Sequence, residues 1–226
     1  MNMLEAKQYL GIFERYNDLL QDEFREYGTI IEFTKNNHPF TPDETLKWFF
    51  VIISGKVKIY DMNFDTGREQ TLYLLVRGDM YDTVPLLDNK PHDLASEVLE
   101  KGKAIKFPLV KVREWMRKFP KFEQLMYSYI AKQMRHTEEL ALDLSLLETK
   151  ERLLKLLLKN VDTIEQKGVG LLDKLSHAEI ANLIGTVRHI IDRHFKDLKN
   201  EGIIEKGKAG IELKKLHKVL EMLHNY

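Results

Sequence analysis

The sequence predicts an α+β chain: a block of short antiparallel strands, then one long helix, then a cluster of short helices closed by a small hairpin. Three observations predict it. Segments rich in β-branched and aromatic residues recur from about Thr29 to Pro108, divided by turn-forming residues. After Pro120 the apolar period changes from two to about three and a half. Beyond Thr149, helix-start and helix-stop signals follow one another closely.

The strand block contains Thr29–Phe33, Trp48–Ile53, Val57–Tyr60, Thr71–Leu75 and Ala104–Phe107. Between them stand Asn36-Asn37-His38-Pro39, Thr41-Pro42-Asp43-Glu44, Ser54-Gly55, Asp65-Thr66-Gly67, Gly78-Asp79 and Lys101-Gly102. These residues supply a positive φ, a preset φ or a local side-chain turn. Strands this short and this closely spaced predict an antiparallel β-roll over residues 1–118.

Residues 119–148 read as one long helix. Met126, Ile130, Gln133, Thr137, Leu140, Leu144 and Leu147 alternate steps of four and three, the a/d seam of a heptad repeat. With neither Gly nor Pro in the run, the helix would be ~40 Å long. A seam this regular suits pairing with the same helix of a second copy as a parallel coiled coil. The competing reading is an amphipathic helix lying on its own strand block. Gln133 and Thr137 fit polar seam positions that fix register at some cost in stability.

The last third, residues 149–226, opens on a helix from about Thr149 to Val161. In Leu175-Ser-His-Ala-Glu-Ile180, Ser176 can cap the amide of Glu179 while the Glu179 carboxylate returns to the Ser176 amide. Leu175 and Ile180 take the places of a hydrophobic staple. That helix should stop at Gly185, and a second should start at once with Thr186 as N-cap, giving a helix-turn-helix. In the second helix Val187, Ile191, Phe195 and Leu198 should face the core. Arg188, His189, Asp192, Arg193, Lys196 and Lys199 lie on the other side, and Gly202 terminates it. Ile203–Glu205 and Ile211–Leu213 read as a hairpin, or wing, around Lys206 and Lys208. A basic face at the start of such a second helix is where side chains reach DNA base edges.

Composition agrees once it is divided. The 226 residues hold 35 Lys+Arg and 35 Asp+Glu, a balance that speaks against a uniformly basic nucleic-acid binder. Residues 149–226, however, carry 15 Lys+Arg against 11 Asp+Glu, leaving 20 against 24 in the rest. The absence of cysteine excludes disulfides, thiolate metal sites, cysteine-ligated clusters and a cysteine nucleophile. No apolar run is long enough to span a bilayer. No basic segment followed by an apolar stretch opens the chain at Met1–Lys7, so a cytoplasmic location and no membrane partner are expected.

In this order the parts resemble the Crp–Fnr transcription regulators. The resemblance runs from about Leu20 to Leu220. Its most specific stretches are Ile53-Ser-Gly-Lys-Val-Lys-Ile59, Arg77-Gly-Asp-Met80, Glu151-Arg-Leu-Leu154 and Leu175–Gly185, running on to Arg188, Arg193 and Leu198–Ile204. It implies a cyclic-nucleotide-binding-like roll, a dimerisation helix and a winged helix-turn-helix. The implied partners are double-stranded DNA, a second copy of the chain and, for an activator, RNA polymerase. By the same resemblance Arg188 and Arg193 match the arginines that meet guanine edges or adjacent phosphates. His189 stands where members often have Glu, so base preference should differ. Ser176, Thr186, Lys196, Lys206 and Lys208 are expected phosphate contacts, which position without specifying.

The effector region departs from the family. Members that bind cyclic nucleotides carry Gly-Glu-Leu after the Gly-Asp turn and an Arg-Ser pair about ten residues on. The matching residues here are Asp82-Thr83-Val84 and Asp93-Leu94. Thr83 replaces the Glu, and Asp93 sets a negative charge where a phosphate needs a positive one, at a cost in a partly buried site. Thr137 does match a seam position that touches the base in those members. Regulation without cyclic AMP is therefore expected, and no cofactor is assigned. Iron–sulfur and thiol sensing fail for want of cysteine. Haem, with His38, His92 or His136 as axial ligand, or a small organic molecule remain the alternatives, as does a winged helix that makes protein contacts instead. Phosphate-loop, dinucleotide, Gly-x-Ser-x-Gly and His-Glu-x-x-His motifs are lacking, so no enzyme is predicted.

Overall fold

The computed structural model describes residues 18–167, 170–206 and 211–224. The chain divides into two compact units, one of residues up to Ile59 together with Tyr73–His136, the other of Tyr60–Leu72 and Thr137 onward.

The first unit is the antiparallel roll. A helix, α1 (Asp18–Tyr27), leads into β1 (Thr29–Phe33), the short α2 (Pro42–Thr45) and β2 (Trp48–Asn63). Then come β3 (Arg68–Leu75), β4 (Met80–Tyr81), α3 (Thr83–Asp88), β5 (Ala95–Pro108) and α4 (Leu109–Lys118). The sheet order is β1-β5-β2-β3, with β4 paired to β2. Thr29 opposes Lys106 and Phe33 opposes Gly102 across β1 and β5, while Phe50 opposes Tyr81 across β2 and β4, both pairs antiparallel.

The expected strands Trp48–Ile53 and Val57–Tyr60 are one strand. Ser54-Gly55 is not a turn between them. Gly55 has φ +87, and a Cβ on Gly102 of the neighbouring β5 would stand 2.0 Å from the Ser54 carbonyl oxygen. The backbones meet at these two glycines, and the irregularity shifts the phase of β2. Before it, Phe49, Val51 and Ile53 join the cluster of Phe24, Trp115, Phe122 and Met126, whereas Phe50 and Ile52 join that of Phe33, Phe40, Tyr81 and Val98. After it, Val57 and Ile59 join the second cluster. A one-residue shift of this kind is what a β-bulge does. Burial on both faces also explains why Trp48–Ile53 reads as a continuous apolar run rather than an alternating one. Trp115 fixes the first cluster, edge-on to Phe24 at 4.9 Å between centroids, with its indole N–H donating to Glu23 at 2.9 Å.

The long helix α5 (Pro120–Leu146) begins in the first unit and ends in the second. The second unit continues with α6 (Thr149–Lys167), α7 (His177–Leu183), α8 (Arg188–Asn200), the hairpin β6 (Ile204–Lys206) and β7 (Ile211–Leu213), and α9 (Leu216–His224). Leu153, Leu157, Ile180, Ile191, Phe195, Leu198 and Val219 form its core. Glu151 accepts from the Glu148 amide at 2.7 Å and so caps the start of α6. Lys155 and Lys159 tie α6 to α5 through Asp143 and Glu139 at 2.5 and 2.9 Å.

Candidate nucleic-acid interface

The helix-turn-helix is set by local chemistry. Ser176 has extended backbone, its hydroxyl oxygen accepts from the Glu179 amide at 3.2 Å, and the Glu179 carboxylate accepts from the Ser176 amide. The capping box expected from the sequence is present. Helix α7 ends at Leu183, and Gly185 turns the chain with φ +65. The positive φ disfavours a side chain there, and a Cβ would also push aside the side-chain ends of Leu144 at 2.5 Å and Gln70 at 2.8 Å.

The start of α8 differs from expectation. Val187 is the N-cap, and it has no side-chain capping bond. Thr186 instead belongs to the turn, its amide donating to the Ala181 carbonyl at 2.9 Å. Val187 is 47% exposed and so does not join the core that Ile191, Phe195 and Leu198 enter. A residue whose backbone is still extended has left the helical repeat, and its side chain does not follow the stripe.

Arg188, His189, Arg193 and Lys196 are exposed along α8, and Ser176 is exposed at the start of α7. Lys206 ends β6, and Lys208 lies outside the described residues. Asp192, an acid with no expected contact, sits within this basic face. It is bonded to His177 Nδ1 and lies 3.7 Å from Arg188 Nε. The bond from His177, then the charges of Arg188 and His189, hold its carboxyl below the usual range. An acid four residues after Arg188 was the available signal. His194, buried beneath the same helix, pairs with the Thr149 hydroxyl at 2.8 Å. Burial, then the nearby Arg193, lowers its pKa.

On α5, Met126 is fully buried in the roll core, so it packs on its own chain and is unavailable to a partner helix. For this residue the competing reading, a helix lying on its own strand block, is the right one. Ile130, Gln133, Leu140, Leu144 and Leu147 are half-buried and Thr137 is exposed, with Gln133 donating to the Tyr129 hydroxyl at 2.7 Å. The large apolar side chains left open on α5 include Tyr127 and Met134, seven residues apart and 53% and 60% exposed. A second heptad register through these two was legible in the spacing.

In the roll, Asp93 is exposed and Thr83 opens α3. The buried carboxylate is Asp82, 2% exposed, with Oδ1 accepting from His92 Nδ1 at 2.9 Å and Oδ2 unpartnered. Beside it Tyr81 stacks on Phe40, its hydroxyl likewise unpartnered. The bond to Asp82 raises the His92 pKa. His38 donates to the Ser96 carbonyl at 2.6 Å and His136 packs on Tyr73. Among the described residues no group of three or more His, Cys, Asp or Glu could hold a metal ion, and no helix is long and apolar enough to cross a membrane.

Two family models match. That for the cyclic nucleotide-binding domain covers residues 30–119, and that for the Crp-like helix-turn-helix domain covers residues 151–222. The chain is 26% identical over 177 residues to the CRP-like cAMP-activated global transcriptional regulator of Mycobacterium tuberculosis, covering 77% of this chain and 79% of that one. It is 27% identical over 166 residues to the cyclic AMP receptor protein of Thermus thermophilus, covering 73% and 74%. The structure of FixK2 from Bradyrhizobium japonicum superposes with a TM-score of 0.76 at 20% identity, over 86% of this chain and 96% of that one.

Proposed function

Since the chain belongs to the Crp–Fnr family of DNA-binding transcription regulators, we propose that it works as a homodimer that reads near-palindromic DNA with α8 and is not switched by cyclic AMP. The observation that carries the DNA reading is the exposed Arg188, His189, Arg193 and Lys196 face on the helix that follows a capped α7 and a glycine turn. That is the placement from which side chains enter a major groove. Arginine forks suit guanine O6 and N7, and Lys196, Ser176 and Thr186 suit phosphates. Lys206 and Lys208 of the wing are assigned the same role.

The partner of α5 is a second α5. Its face runs through Tyr127, Ile130, Met134, Thr137 and Leu144, since Met126 is already covered and Gln133 is bonded to Tyr129. A near-palindromic site presents its two half-sites to the two copies of α8 one helical turn of DNA apart, about 34 Å.

Two acids, Asp82 and Asp93, speak against cyclic AMP. Asp82 is buried in the segment that matches the Gly-Glu-Leu of nucleotide-binding members, and Asp93 stands where they carry the Arg that pairs with the phosphate, so a cyclic phosphate brought here would meet negative rather than positive charge. The curated relatives named above are cAMP-activated or cAMP receptors by name, so the test is direct. Binding sites selected from random DNA should be bound tightly without cyclic AMP, with affinity falling steeply as salt rises. Binding that requires cyclic AMP would overturn the ligand reading. Salt-insensitive binding, or none, would favour a winged helix that makes protein contacts.

A further inference from the structure

We infer that Asp192 is the positioning residue that fixes how Arg188 meets its base pair, and so a determinant of sequence preference in this chain. The inference rests on the reading of α8 as the base-reading helix. Asp192 stands one turn after Arg188 on the exposed side of α8, and its two carboxylate oxygens are used differently. Oδ1 accepts from Nδ1 of His177, the first residue of α7. Oδ2 faces Arg188 Nε at 3.7 Å. The imidazole of His177 is itself held, its ring lying 4.7 Å from that of the buried Phe195. The carboxylate is therefore anchored from the preceding helix and is not free to follow Arg188 wherever it moves.

Arg188 is 74% exposed in its side chain and has many rotamers to lose on binding. A carboxylate 3.7 Å from Nε attracts that edge of the guanidinium by charge, without a hydrogen bond, and biases the two terminal nitrogens forward. Those nitrogens make the bidentate fork that guanine O6 and N7 accept. The same negative charge, placed among DNA-facing cations, repels phosphate oxygens. It penalises complexes in which Arg188 is not satisfied by a base and the helix rests on the backbone alone. Asp192 thus acts on both sides of the discrimination, favouring the right base pair and weakening random DNA.

The test compares wild type, Arg188→Ala, Asp192→Asn and the double variant on the selected site, on its single-base-pair variants and on random DNA. Asp192→Asn should lose at least about fivefold of its discrimination at one base pair of each half-site, the same pair affected by Arg188→Ala. It should also bind random DNA more tightly than wild type. In the Arg188→Ala background the further change to Asn should leave base preference unmoved, because Asp192 acts through Arg188. The carboxylate is exposed, so the thermal midpoint of Asp192→Asn should stay at the wild-type value. A merely structural role would move the midpoint and leave base preference alone. Unchanged preference in Asp192→Asn, or a change at a base pair other than that of Arg188→Ala, would overturn the inference. Failure of wild type to bind DNA at all would instead overturn the reading of α8.

Discussion

The guanidinium of Arg68 donates to the carbonyl oxygen of Gly185 at 2.9 Å. The tip of the β2–β3 hairpin thereby holds the turn of the helix-turn-helix, aided by Gln70, whose side-chain amide reaches the Leu183 carbonyl at 3.4 Å. Carbonyls at a helix C-terminus lack intrahelical partners and sit at the negative end of the dipole, so a cationic donor suits them. Arg68 also lies near Arg152, whose pKa is lowered by burial first and by Arg68 second.

Arg68→Ala should destabilise the second unit by about 1 kcal/mol, the scale of one partly exposed hydrogen bond. Arg68→Gln keeps a donor and removes the repulsion of Arg152. It should match or exceed wild type in urea unfolding followed by circular dichroism.

Ser176→Ala removes one arm of the capping box and should cost about 1 kcal/mol. Ser176→Asp, which keeps an acceptor, should recover it in the same unfolding measurement. Because Ser176 is also an expected phosphate contact, the Asp variant should regain stability yet bind DNA more weakly than wild type in fluorescence anisotropy.

Met134→Glu should produce monomers in sedimentation velocity, whereas Gln133→Ala should remain dimeric. The opposite result would return the pairing face to the register through Gln133 and Leu140.

Two histidines should give the units opposite responses to pH. His92 has a pKa raised above 6.5 by its bond to Asp82, so its stabilisation is full below 6.5 and is lost as pH rises through the raised value. His194 has a pKa lowered from 6.5 by burial, so the unfolded chain binds the proton more readily and stability is lost as pH falls through 6.5. Between pH 5 and 8, His92→Gln should remove the first dependence and His194→Gln the second, as read by urea midpoints at each pH.

Much of the fold could be read from local chemistry. The capping box, the glycine stop and β1 are where short-range patterns put them, because each is settled by residues within one turn or one strand of themselves. Ser54-Gly55 looks like a turn in the sequence, whereas the strand continues through it with a shift of phase. A glycine with positive φ looks the same in a turn and in a bulge until the neighbouring strand, here at Gly102, is known. Met126 entered the heptad seam on spacing, but burial in the roll core depends on Trp115 and Phe122, which no periodicity connects to it. Spacing draws attention to Asp93, yet the acid buried in this region is Asp82. Both acids lie beside the same short segment, and only the tertiary fold decides which one points inward.

The position of Arg68 and Gln70 has a consequence for how such a chain is taken apart or recombined. Residues 60–72 belong with the C-terminal segment although 64 residues separate Leu72 from Thr137, where that segment begins. A fragment cut at Thr149 would therefore leave the Gly185 carbonyl without its donor, and Lys155 and Lys159 without Asp143 and Glu139. Grafting another regulator's DNA-reading end onto this roll would need a matching hairpin tip as well. The heritable module is thus discontinuous: two stretches of sequence that must change together.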